Sequence, residues 1–249
     1  MTTIANRLLR LHVYDHCPFS IRVELALGWM NIPYERAVYG YADRLGDTSK
    51  ANCYDGGVVL TGKKALPVLE QLDSDGRREW LKTESMDIVD WALREHRIGE
   101  SAFPKASGRD DLNRFFAPDG RFMDVTWMLS RPRNLRMTHL TDWAREEDRA
   151  YCRAKYETGG FDYAAAEAAD AESKAEMEEL LRQVDDQLLE SETSLYRTGT
   201  LGFDDVLYLP VLRCLSLVEG LAWPERLRNY VVSAFAKAKV GTYFDHQIA

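Results

Sequence analysis

The sequence has no CxxC pair: its four cysteines, Cys17, Cys53, Cys152 and Cys214, stand far apart in 249 residues. That spacing excludes the usual zinc-ligand patterns, and a chain of this length has no need of a disulfide framework. No metal is expected, and a reducing compartment, the cytoplasm, is the expected address. Basic residues are in the minority, 32 Lys and Arg against 40 Asp and Glu for a net charge of −8. This argues against a nucleic-acid partner, because neutralising phosphates needs a basic face; a small anionic ligand needs only a local positive spot. Long apolar runs are missing too. No window approaches ~18 uninterrupted apolar residues, and the opening MTTIANRLLRLHVY is too short and too polar for a signal-peptide core. Neither stable membrane insertion nor an export signal is expected. What is present is a hydrophobic content of 45%, enough for a substantial core.

The first hundred residues alternate strand and helix signals. RLLRLHVY (7–14) reads as a strand and 18–30 as a helix with a broad apolar stripe through Ile21, Leu25 and Trp29. Pro18 suits the first helical position, where its missing N–H costs nothing. Asn31 and Pro33 stop the helix and YERAVY (34–39) restarts as a strand, giving a βαβ unit with a parallel pair. A long polar segment (40–62) follows. KALPVLEQL (64–72) and REWLK (78–82) flank an Asp75-Gly76 hairpin turn, and TESMDIVDWALREH (83–96) reads as a helix. After Phe103-Pro104 strand signals cease, and 109–130, 138–156, 165–196, 203–219 and 224–238 read as helices. The expected architecture is α/β plus all-α: a βαβ-ββα domain over 1–98, a linker over 99–106, and a helical domain over 107–249.

Three stretches could carry chemistry. Cys17 stands where a strand ends and a helix begins, facing unpaired amides and the positive end of the helix dipole. Both favour the thiolate, so a lowered thiol pKa is expected. On this stretch alone, a cysteine that merely ends a strand stands equally open. In ALPVL (65–69), a cis Leu66–Pro67 bond would turn the Leu66 main chain toward an extended ligand; taken alone, a trans proline on an edge strand is the commoner outcome. Glu84-Ser85 opens a helix whose free amides and Ser85 hydroxyl make a carboxylate site, although a simple cap accounts for these residues as well. Arg131, Arg133 and Arg136 read as a solvated basic turn, and Cys214 as core.

Taken in chain order, these stretches resemble the thioredoxin-like domain of glutathione-dependent proteins, and the helical half resembles the glutathione-transferase fold. The resemblance is to the two-domain bacterial glutaredoxin 2 type, and cysteine-type glutathione transferases share its plan. It is carried by YDHCPFS, MNIPYE, GKKALPVLEQLDS, ESMDIVDW and DDVLYLPVLRCLSLVEGLAWPERLRNY, with residues 100–195 matched by pattern only. The resemblance implies glutathione as co-substrate, bound against Cys17 with Pro18 and Phe19 flanking it. It implies a cis Pro67, with the Leu66 main chain holding the cysteinyl backbone of glutathione. Glu84 and Ser85 would take the γ-glutamyl end, and Lys64 is a candidate for the glycyl carboxylate.

The family's usual C-P-Y-C is here Cys17-Pro18-Phe19-Ser20, similar to the C-P-F-S of dehydroascorbate reductases and chloride-intracellular-channel-like proteins. Ser20 cannot resolve a disulfide, so the resemblance implies a monothiol cycle in which Ser20 supports the thiolate. The substrates expected are glutathionylated proteins or small disulfides. A conjugating glutathione transferase is the alternative, with Tyr14 or Ser20 supplying the activating hydroxyl. A non-enzymatic channel-like protein of the same fold ranks below it, and an iron–sulfur-bridged dimer lower still. At the start of the helix at 203, Gly202-Phe203-Asp204-Asp205 replaces the family's Ser-x-x-Asp cap, at small cost because glycine is tolerated at an N-cap.

Overall fold

The computed structural model describes residues 8–42, 60–190 and 200–249. Cys53, most of the polar segment 40–62 and the end of the helix expected over 165–196 lie outside the described residues. The described chain divides into two compact units, Met1–His96 with Met137–Lys155, and Arg97–Arg136 with Tyr156–Ala249.

In the first unit, β1 (Leu8–Val13), β2 (Glu35–Val38), β3 (Val68–Leu72) and β4 (Arg78–Lys82) form a sheet of order β2-β1-β3-β4. β1 pairs in parallel with β2, placing Arg10 opposite Glu35, and antiparallel with β3, placing His12 opposite Val68. β3 and β4 pair antiparallel around the expected hairpin. The period of two along β1 sorts its side chains. Leu11 and Val13 enter a core with Val23, Leu27, Ile32, Leu69, Ile88 and Ala92. That core is closed by α1 (Pro18–Trp29) and α2 (Ser85–Glu95), which pack on one another. His12 belongs to the opposite alternation and is buried with Glu70, its Nε2 3.1 Å from Glu70 Oε1 and its Nδ1 2.6 Å from the Tyr39 hydroxyl. Burial pushes the His12 pKa below its ordinary value against the pull of Glu70. Glu70 is itself held low, despite burial, by the bonds from Arg78 and His12.

The stretch 137–155 belongs with this unit, which the linear division at 99–106 does not anticipate. The reason is a set of buried carboxylates. Asp148 Oδ1 accepts the Ala42 N–H at 2.6 Å, and Asp142 accepts the amides of Asp15 and His16. The helix expected over 138–156 is accordingly shorter. A 3-10 turn at Thr141–Trp143 precedes the later α5 (Glu146–Thr158).

The second unit holds α3 (Asp110–Phe115), α4 (Arg121–Asn134), α6 (Tyr163–Ala168), α7 (Asp170–Glu190), α8 (Phe203–Leu215) and α9 (Glu225–Ala238). The single helix expected over 109–130 is broken between α3 and α4, where Pro118, lacking an N–H, sits in a turn closed by Gly120 N–H to Ala117 O at 2.8 Å. Arg133 is not part of a solvated turn. It is 3% exposed, pairs with Asp170 at 2.7 Å and donates to the carbonyls of Leu129 and Ile248. Cys214 is core, as expected. At the start of α8 glycine is needed for space: a Cβ at Gly202 would lie 2.6 Å from the Pro104 carbonyl oxygen, whose acceptor takes the Phe203 N–H at 3.0 Å.

Candidate active site

Cys17 is the N-cap residue of α1, with extended backbone (φ −72°, ψ 116°) and Pro18 at the first helical position. The chain turns there because Cys17 N–H closes on Tyr14 O at 3.2 Å while Cys17 O accepts the first helical bond, from Ile21 N–H at 3.0 Å. The free thiol is partly covered, and its Sγ lies 3.8 Å from the Leu66 carbonyl oxygen. The Leu66–Pro67 bond is cis, as the resemblance implies. Both residues are buried where the chain enters β3, so the cis-proline segment and the nucleophile candidate face one another.

The thiol's electrostatics differ from the expectation. Burial is the largest influence and pushes the Cys17 pKa up. The Ser20 amide, the Ser20 hydroxyl and the Phe19 amide pull it down, and the charge of Asp142 pushes it up again. The net direction is upward. The helix N-terminus acts as expected, but desolvation outweighs it, and desolvation depends on what packs around the sulfur rather than on local sequence.

Ser20 is wholly buried and its hydroxyl has no hydrogen-bond partner, although it is close enough to favour the Cys17 thiolate. Phe19 is 52% exposed, an uncommon position for a large apolar side chain, with the Arg22 guanidinium 4.8 Å over its ring. Glu84 and Ser85 stand at the start of α2. Ser85 is buried, whereas Glu84 is exposed and held at φ 63°, ψ 115°. A left-handed φ in a residue other than glycine costs about 1–3 kcal/mol, and such strain concentrates at functional sites. Lys64 lies among three tyrosines, its Nζ 5.3, 5.1 and 5.0 Å from the ring centres of Tyr14, Tyr41 and Tyr151 and 2.8 Å from the Tyr41 carbonyl oxygen.

Three residues absent from the sequence-based set belong to this constellation. Asp142, fully buried, accepts the Asp15 N–H at 2.9 Å, the His16 N–H at 2.7 Å and a further bond from His16 Nδ1. Trp143 and Tyr41 pack on the His16 ring with centroids 4.4 and 4.7 Å away. Asp142 lies in an unremarkable TDW, and no local pattern marks it as part of a site assembled around residue 17.

Comparisons with known proteins identify the family and the fold. The family described as glutathione S-transferase, N-terminal domain, matches residues 11–101, and the family described as glutaredoxin 2, C terminal domain, matches residues 120–247. The chain belongs to the glutaredoxin 2 family. Glutaredoxin 2 of Escherichia coli K12 is 25% identical over 228 residues, covering 89% of this chain and 92% of the relative. Among solved structures, glutaredoxin 2 from Salmonella typhimurium, in complex with glutathione, superposes with a TM-score of 0.77 at 23% identity. The match covers 96% of this chain and 99% of that one. A glutathione S-transferase from Xylella fastidiosa matches in fold at a TM-score of 0.51 and 14% identity, over 94% of this chain and 100% of that one. The thioredoxin-like half followed by a helical half is thus the glutaredoxin 2 plan.

Proposed function

We propose that this glutaredoxin 2 family chain is a glutathione-dependent thiol transferase that reduces glutathione mixed disulfides by a monothiol cycle at Cys17. The observation that carries the reading is the thiol at the open end of α1, facing the main chain of Leu66. Support comes from the E. coli relative, named glutaredoxin 2, and from the glutathione held by the Salmonella protein. In this reading the Leu66 main chain pairs with the cysteinyl backbone of glutathione, and Glu84 and Ser85 take its γ-glutamyl end. Pro18 and Phe19 border the tripeptide, and Lys64 supplies positive charge for its glycyl carboxylate.

The Cys17 thiolate attacks the glutathionyl sulfur of a mixed disulfide. A bond forms between Cys17 and glutathione, the original disulfide breaks, and the released thiolate takes up a proton. A second glutathione, as thiolate, attacks the glutathionyl sulfur on Cys17, which leaves as thiolate along with oxidised glutathione. The sulfur of the second glutathione is oxidised, the substrate sulfur of the mixed disulfide is reduced, and the glutathionyl sulfur stays at the disulfide level throughout. With the thiol pKa raised, the first step runs through a minority thiolate. Each unit of elevation costs about tenfold in thiolate fraction but returns about threefold in nucleophilicity.

Conjugation by an activated hydroxyl fits less well, because Tyr14 is 4% exposed and Ser20 is wholly buried. A membrane-inserting role draws no support from the helices, since none among the described residues is long and apolar enough to cross a membrane. The deciding experiment is turnover of a glutathione mixed disulfide by wild-type and Cys17→Ser protein, with mass spectrometry after treatment with oxidised glutathione. Turnover that vanishes in the variant, and one glutathione added at Cys17 in the wild type, are expected. Full turnover by Cys17→Ser overturns the proposal.

A further inference from the structure

We propose that Asp142 is a positioning residue for Cys17, acting through the two peptide amides and the imidazole that immediately precede the thiol. The inference rests on the thiol-transfer reading above and assigns to that site a residue distant in sequence.

A carboxylate that is fully buried must find donors nearby. The three that Asp142 finds all belong to Asp15 and His16, the link between β1 and α1. Its Oδ1 takes the Asp15 N–H at 2.9 Å, and its Oδ2 takes the His16 N–H at 2.7 Å together with Nδ1 of the same residue. Two consecutive amides bound to the two oxygens of one carboxylate fix the orientation of the peptide between them. The next residue is Cys17, so the direction in which the chain leaves β1, and with it the place of Sγ opposite Leu66 O, follows from where Asp142 sits. Asp142 is anchored in turn. Its carbonyl accepts the Tyr41 N–H at 3.2 Å, and the neighbouring Trp143 packs on both the His16 and Tyr41 rings. Asp15 is held from its other side as well, its carboxylate paired with Arg36, which also binds Glu24.

An electrostatic role alone does not account for this placement. A negative charge near Cys17 disfavours the thiolate, so Asp142 costs the thiol some acidity. What it supplies is geometry. The two contributions have opposite signs, and one substitution separates them. Asp142→Asn removes the charge and one of the two carboxylate acceptors. The pH midpoint of Cys17 alkylation by iodoacetamide then moves down, which raises the thiolate fraction at neutral pH. At the same time kcat/KM for a glutathione mixed disulfide falls by about 10- to 100-fold, the usual cost of displacing a reacting group by about an ångström. A lowered midpoint with kcat/KM unchanged or raised overturns the inference. Should Asp142→Asn fail to fold, His16→Phe keeps a ring against Trp143 and Tyr41 but removes the Nδ1 bond. A loss of about tenfold in kcat/KM is then expected, and wild-type kcat/KM overturns the inference. Failure of the thiol-transfer reading itself appears separately, as absent turnover in the wild type.

Discussion

The starts of α1 and α8 solve the same problem differently. Each helix opens on a residue whose side chain makes no cap, Cys17 in one and Gly202 in the other, and each recruits a buried carboxylate instead. At α8 the carboxylate is local. Asp205, three residues on, turns back to accept the Gly202 N–H at 2.8 Å, and its other oxygen takes the Tyr230 hydroxyl. At α1 the carboxylate arrives from residue 142 and binds the two amides that precede the cap residue rather than the amide of the cap residue itself. The first arrangement closes a helix end. The second fixes the chain entering a helix and leaves the Phe19 and Ser20 amides directed at a sulfur. In the proposed reading, the contrast separates a device for stability from one for chemistry.

The largest effect is expected at the closed end. Asp205→Ala strips a partner from two buried donors, the Gly202 amide and the Tyr230 hydroxyl, and lowers unfolding free energy by about 2–4 kcal/mol. Urea denaturation measures it, and the thiol's alkylation midpoint should not move. A cost below about 1 kcal/mol, or a shift in that midpoint, would dissolve the distinction between the two helix starts.

The same contrast explains how much was legible in advance. What depends on neighbours along the chain could be read. β4 falls on the residues that REWLK marks, α1 begins at Pro18, and Asp205 lies within the segment recognised as a cap. The cis Leu66–Pro67 bond is present where the resemblance placed it. What depends on packing could not. Pro118 breaks a helix that periodicity ran straight through, and Arg133 turned inward because Asp170 and the Ile248 carbonyl were there to receive it. Asp142 gave no sign of its partners. The thiol pKa belongs to this second group: the helix terminus favouring the thiolate is local, whereas the burial opposing it is assembled from the fold.

A third helix start sharpens the comparison. At α2, among the described residues, no carboxylate accepts the amide of Glu84, which instead holds a left-handed φ. Glu84→Gly removes the strain, about 1–3 kcal/mol, but adds about 1 kcal/mol of chain entropy to the unfolded state. A net gain of about 1 kcal/mol in urea denaturation is expected, together with a raised KM for glutathione if, as proposed, the Glu84 carboxylate takes its γ-glutamyl end. Glu84→Ala keeps the strained backbone, so it raises KM without the gain in stability. Were both variants equally stable, the strain at this position would not be real.

The smallest effect concerns the balance at the thiol. In the wild type the alkylation midpoint of Cys17 should lie above the ordinary thiol value, because burial outweighs the amides and the Ser20 hydroxyl. Ser20→Ala removes one group that favours the thiolate, so the midpoint moves further up and alkylation at neutral pH slows. Stability should hold or rise by up to about 1 kcal/mol, since the lost hydroxyl is buried without a partner. Linkage fixes the sign of the accompanying pH dependence. The folded chain holds the Cys17 proton more tightly than the unfolded one, so this contribution to stability is intact below the ordinary thiol pKa and is lost as pH climbs through the raised value. A wild-type midpoint below the ordinary value would mean that the terminus of α1 dominates after all, and Ser20 would then be part of an acidic thiol rather than a minor counterweight to a partly covered one.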